Sequence, residues 1–148
     1  MPRLLFVCSS NRTRGPIAAA LFQNAAKLGG LEDWEVDSAG LRAQHGQHIP
    51  DEVATVLAEK GLQPLRIGVQ FLTPKLIKMA DLILCMTSDQ EKELLTNFVS
   101  ARNKTKTLMS ILREDTDIFD PNHLSVEKYR ACRDMMIPAI DELVERLK

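Results

Sequence analysis

The chain has 148 residues, of which 45% are hydrophobic and 26% charged, a balance that suits one α/β domain able to bury its own core. With 19 basic against 20 acidic residues the formal net charge is -1, so overall charge draws neither nucleic acid nor an anionic membrane, and any anion must be held locally. Three cysteines, odd in number and widely spaced at Cys8, Cys85 and Cys132, make neither a disulfide framework nor a zinc pattern, so a reducing, cytoplasmic setting is expected.

Met1-Pro2-Arg3 leads into an apolar run too short for a secretory signal or a membrane span. Leu4–Val7 reads as a buried strand, and Pro16–Lys27 as a helix with proline near its first turn, where the missing N–H costs nothing. Gly29-Gly30 stops that helix. Trp34–Ser38 alternates as a second strand, and Ala39-Gly40 is expected to turn the chain. A polar stretch holding His45 and His48 precedes a helix over Asp51–Lys60, which Gly61 ends. A short helix over Pro74–Met79, a buried strand over Ala80–Met86, a helix over Ser88–Phe98 and a fourth strand over Thr105–Met109 follow. The acidic loop Arg113–Pro121 then leads to an amphipathic helix, Val126–Leu147, that Pro138 is expected to kink or interrupt. Strands alternating with helices predict a four-stranded parallel sheet with helices on both faces in a single domain, and such sheets place sites at the carboxyl ends of strands. Cys8 lies at such an end.

The loop after Cys8 runs into a helix N-terminus, where free N–H groups and the positive end of the helix dipole favour an anion and an ionised thiol. Arg14 adds a fixed charge and a two-pronged donor matched to a tetrahedral oxyanion. Asn11 tolerates a left-handed backbone, and Ser9, Ser10, Arg12 and Thr13 complete a phosphate-sized cradle. A thiolate in such a cradle needs an acid to protonate the leaving oxygen, and Asp120, held extended by Pro121, is the best-placed candidate in the sequence. His45, His48 and His123 are the other possible acids, but each lies in a polar loop and reads as a surface residue.

These residues resemble the low-molecular-weight protein-tyrosine phosphatases. Phe6-Val7-Cys8, Asn11, Arg14 and Pro16 match near the start, followed in order by Asp37-Ser38-Ala39-Gly40, by Ala80-Asp81-Leu82-Ile83-Leu84 with Met86, and by Asp120-Pro121. The resemblance implies a flavodoxin-like three-layer sandwich and hydrolysis of phosphomonoesters through a phosphocysteine, with no metal and no cofactor. It makes Cys8 the nucleophile, Arg14 the phosphate clamp and Asp120 the acid and then the base, with Asn11 bracing the loop. It also implies a phosphorylated protein or small phosphoester as substrate, inorganic phosphate or sulfate as a ligand of the loop, and a monomer or weak dimer. The chain departs from the family at Ser10, usually glycine, whose Cβ is expected to strain the loop. It departs at Thr13, usually a second cysteine that protects the nucleophile as a disulfide, and at Gly15, usually a serine that donates to the thiolate. A serine there is expected to fit without a large steric cost. Arg12 stands at the pocket mouth, where tyrosine phosphatases carry an apolar residue and the related protein-arginine phosphatases a threonine. Asn122-His123 replaces the aromatic wall after Asp-Pro.

Two other functions fit parts of this pattern. A phosphate-binding homologue weakened by Ser10, Arg12 and Gly15 would need only the cradle, yet Cys8, Arg14 and Asp120 are all kept. A thioredoxin-coupled arsenate reductase needs further cysteines on a flexible segment, whereas Cys85 falls in a predicted strand and Cys132 in a helix, positions that read as packing.

Overall fold

A computed structural model describes residues Met1–Lys148. The elements are β1 (Arg3–Cys8), α1 (Arg14–Leu28), β2 (Glu35–Gly40), α2 (Asp51–Ala58), α3 (Pro74–Met79), β3 (Leu82–Cys85), α4 (Ser88–Asn97), β4 (Thr105–Thr107) and α5 (Val126–Leu147). Single 3₁₀ turns lie at Val99–Ala101 and Met109–Leu112. All pairings are parallel and the strand order is β2-β1-β3-β4, so β1 is central and buried on both faces, which explains its unbroken apolar run.

Alternation along β1 sends its side chains into two cores. Leu4, Phe6 and Cys8 join Ile17 and Phe22 of α1 and Met136 and Ile140 of α5, while Leu5 and Val7 join Ile77 of α3, Ile83 of β3 and Leu94 of α4. Helices therefore cover both faces of the sheet, as the strand–helix alternation predicts, in the three-layer flavodoxin-like architecture that the resemblance implies. No helix is long and apolar enough to cross a membrane.

Two expectations are corrected by packing. Ala39-Gly40 does not turn the chain: β2 runs through Gly40, because Gly40 pairs with Cys8 in the parallel register. Its lack of a side chain serves a close approach instead, since a Cβ there would lie 2.7 Å from Ser9 O and 2.8 Å from Asn11 N. Pro138 does not interrupt α5, which is one helix from Val126 to Leu147. Pro138 and Asp134, whose carbonyl loses its helical donor, are both exposed residues. Smaller differences are at element ends: α2 stops at Ala58, β3 covers Leu82–Cys85 and β4 only Thr105–Thr107.

The strand order reverses direction at β1. From its carboxyl end the chain passes through α1 to β2 on one side, while β3 pairs on the other, and this is where open parallel sheets bind ligands.

Candidate active site

Between the end of β1 at Cys8 and the start of α1 at Arg14, residues Ser9–Thr13 arch over the switch point. Asn11 has φ of 60°, the left-handed conformation that asparagine tolerates well. It is fully buried and braced at both ends: Asn11 Nδ2 donates to Ser38 Oγ at 2.8 Å, and Asn11 Oδ1 accepts from the Gln70 N–H at 2.8 Å. Ser10 does not strain the loop, because its φ is not positive and the turn is made at Asn11. Behind this brace lies an ionic knot. Arg66 donates to both oxygens of Asp37, at 2.8 and 2.7 Å, and Gln70 Nε2 donates to Asp37 Oδ2 at 3.0 Å. Burial pushes the Asp37 carboxyl up, but the bonds from Arg66, Gln70 and the Ser38 N–H outweigh it and hold the group below its ordinary range.

The other flank of the loop is fixed by α4. Gln90 is buried, accepts from the N–H groups of Met86 and Thr87 at 3.1 Å each, and donates through Nε2 to Ser9 Oγ at 3.0 Å. The Ser9 and Thr13 hydroxyls are thus both engaged with protein partners, Thr13 through a bond to Asp120 at 2.9 Å. Thr13 spends its O–H on Asp120, whereas Ser9 accepts from Gln90 and keeps its own O–H.

Arg14 is 6% exposed and reaches the acidic loop, donating from Nη1 to Ile118 O at 2.9 Å, with Nη2 3.7 Å from Asp120 Oδ2. Its Nε is buried and has no partner within the protein, an arrangement that normally costs a charged group dearly unless an anion completes it. Cys8 is 1% exposed. Burial pushes its thiol up, the Arg14 guanidinium and the N–H groups of Gly15 and Asn11 pull it down, and Asp120 pushes it up again. Burial prevails, so the resting thiol lies above its ordinary value rather than below it as the helix N-terminus alone predicts.

Three ties hold the acidic loop against this centre. The Ile118 N–H bonds Met86 O at the end of β3 at 3.0 Å, Asp117 Oδ1 accepts from the Ser88 N–H at 2.9 Å, and Ile118 O receives Arg14. Asp120 follows with its side chain 39% exposed, at the surface of the cradle rather than within it.

Arg12 lies on the rim, half-buried, its Nε donating to His48 O at 3.3 Å. It lines a polar groove of about 410 Å³ together with His48, Asp51, Glu52, Asn122 and His123. A larger groove, about 670 Å³, lies between the C-terminal end of α1 and α5, and none of the loop residues lines it. Cys85 and Cys132 are buried, and burial raises both thiols, that of Cys132 to about 12. His45, His48 and His123 are exposed loop residues.

Cys8, Arg14, Asn11 and Asp120 come together as the sequence predicts, and Ser9, Ser10, Arg12 and Thr13 form the rest of the arch. The bracing roles of Ser38, Arg66, Gln70 and Gln90 are not predicted. Gln90 had a local signal, since Thr87 and Gln90 form a capping box, but Arg66 and Gln70 lie in an aperiodic segment with none.

The family model for "Low molecular weight phosphotyrosine protein phosphatase" matches residues 3–148. A protein-arginine-phosphatase of Geobacillus stearothermophilus is 39% identical over 147 residues, covering 99% of this chain and 96% of that protein. The low molecular weight protein-tyrosine-phosphatase PtpB of Staphylococcus haemolyticus is 33% identical over 141 residues, covering 95% and 96%. Among solved structures, a YwlE mutant from Bacillus subtilis superposes with a TM-score of 0.93 at 30% identity over 99% of both chains.

Proposed function

The chain belongs to the low molecular weight phosphotyrosine protein phosphatase family, and from that premise we propose that it hydrolyses phosphotyrosine in proteins through a phosphocysteine on Cys8. The observation that carries this reading is the Arg14 side chain. It is buried beside Cys8, anchored to Ile118 O through Nη1, and left with an unpartnered Nε that an oxygen of a bound phosphate can satisfy.

In this mechanism the N–H groups of the Ser9–Thr13 arch and Arg14 hold the phosphoryl oxygens, which places phosphorus in line with Cys8 Sγ. As the thiolate, Cys8 attacks phosphorus while the phosphorus–oxygen ester bond breaks, and Asp120 gives its proton to the departing oxygen. Water then attacks the phosphocysteine, Asp120 takes the proton from that water, and the sulfur–phosphorus bond breaks to return the thiolate and inorganic phosphate. Arg14 stabilises the charge on the equatorial oxygens in both steps. Because burial raises the resting thiol, the Arg14 charge and the Gly15 and Asn11 N–H groups are what make the thiolate accessible at all.

Among the rim charges Arg12 favours a phenol ester over a phosphoarginine, while Asp51 and Glu52 in the same groove act the other way. A cation at Arg12 repels a guanidinium at the pocket mouth and attracts an acidic residue flanking a phosphotyrosine. The second reading, phosphoarginine, is favoured by the 39% identity to a protein-arginine-phosphatase. Matched acidic peptides carrying either phosphotyrosine or phosphoarginine separate the two. Phosphate release is expected to be faster from the phosphotyrosyl peptide and to disappear in Cys8→Ser. Faster release from the phosphoarginyl peptide overturns the substrate assignment, and full activity in Cys8→Ser overturns the mechanism.

A further inference from the structure

Thr13 occupies the N-cap position of α1, where a threonine oxygen ordinarily accepts a hydrogen bond from an N–H in the first helical turn. It makes no such bond. Its hydroxyl instead donates to Asp120 Oδ1 at 2.9 Å, across 107 positions of sequence, and the residue is only 1% exposed. The Asn122 N–H donates to the same oxygen at 3.0 Å. The other carboxyl oxygen, Oδ2, lies on the Arg14 side, 3.7 Å from Nη2.

We propose that Thr13 is a positioning residue for Asp120: its hydroxyl and the Asn122 N–H together occupy Oδ1, so that Oδ2 is the oxygen that carries and returns the proton. This rests on the acid–base role given to Asp120 above. A carboxylate accepts through both oxygens, whereas a carboxylic acid keeps one accepting oxygen and one O–H. An oxygen already receiving two donors is the one that stays the acceptor, which directs the proton to Oδ2. The Thr13 bond is therefore compatible with both protonation states. Asp120 gives the proton in the first step and takes it in the second without rotating, and the carboxyl group stays tied to the arch that holds the phosphate. A short tie of this kind also accounts for how a side chain 39% exposed is kept in one orientation.

The test compares Thr13→Val, which keeps the shape and loses the hydroxyl, with Thr13→Ser, which keeps the hydroxyl, on phenyl phosphate and on 4-nitrophenyl phosphate. Thr13→Val is expected to lower kcat/KM, which reports the transfer to Cys8 alone, about 10- to 100-fold on phenyl phosphate, the scale of a misplaced catalytic group, and to change kcat/KM on the better leaving group much less. Inhibition by inorganic phosphate should be unchanged, and Thr13→Ser should recover most of the rate. In an Asp120→Asn background Thr13→Val should cost nothing further. An equal loss on both substrates, no recovery by serine, or a full additional loss in the Asp120→Asn background each overturns the proposal while leaving the acid role of Asp120 intact. If Asp120→Asn itself shows no dependence on the leaving group, the acid assignment fails and the role of Thr13 fails with it. Should Thr13→Val not fold, Thr13→Ala removes the same hydroxyl and is read by the same comparisons.

Discussion

Gly15 shows how tightly the residues around the thiol are fitted. A Cβ at this position would stand 3.1 Å from Ser38 Cβ, 3.2 Å from Asn11 Nδ2 and 3.3 Å from Cys8 Sγ, so serine does not enter freely as the sequence suggests. Each contact is closer than ordinary van der Waals distance, and two of the three partners belong to the bond that braces Asn11. Gly15→Ser is therefore expected to lower Tm by several degrees, in line with overpacking costs of about 1–3 kcal/mol. It also sets a hydroxyl beside Sγ, where a hydrogen bond to a charged acceptor is worth about 1.5–3 kcal/mol. Thermal melts and the pH dependence of Cys8 alkylation by iodoacetamide check the two effects together. A lower Tm with alkylation moved to lower pH is expected. A lower Tm with an unmoved profile would mean that the hydroxyl turns away from sulfur. Cys8, Arg14 and Asp120 are legible in the sequence because each has a chemical reason to be where it is. The raised thiol and the tight fit at Gly15 are not, since both depend on what surrounds the residue in three dimensions.

At the level of elements, α2 and α5 are clamped by a charged cluster that also has a pH signature. Arg133, 6% exposed, donates to Val56 O at 2.8 Å and to Glu59 Oε1 at 2.7 Å, and Arg130 binds both Glu59 oxygens at 2.9 and 2.6 Å. Hydrogen bonds from Arg130 and Arg133 pull the Glu59 carboxyl down to about 2. The folded value lies below the unfolded one, so the contribution is present above the ordinary glutamate range, near ~4.3, and is lost as pH falls through the folded value. Wild type and Glu59→Gln should differ most in Tm at about pH 6 and converge as the pH approaches the Glu59 value. A gap that persists unchanged into acid would show that the clamp acts by shape rather than by charge. Element types were legible here because burial writes periodicity into the sequence, as in the unbroken apolar run of β1. Element ends were less so, because their surroundings set them: Gly40 stays in β2 through its pairing with Cys8, and α5 passes Pro138 on its exposed side. The segment holding Arg66 and Gln70 had no period to read, and its role appears only when Gln70 meets Asn11.

In the molecule as a whole, the parallel sheet brings the thiol at the end of β1, the arginine opening α1 and the acidic loop after β4 to one switch point. Met86 at the end of β3 is what seats the acidic loop there, through its carbonyl bond to the Ile118 N–H. In the proposed mechanism this assembly moves a phosphoryl group onto sulfur and then to water. The direct test is rapid-quench mass spectrometry during turnover of 4-nitrophenyl phosphate. With so good a leaving group, hydrolysis of the intermediate limits the rate and the phosphoenzyme accumulates. A burst of about one nitrophenol per chain is expected, coincident with a phosphate adduct that peptide mapping places on Cys8. Steady turnover with no adduct on Cys8, or with the phosphate on another residue, would contradict the mechanism.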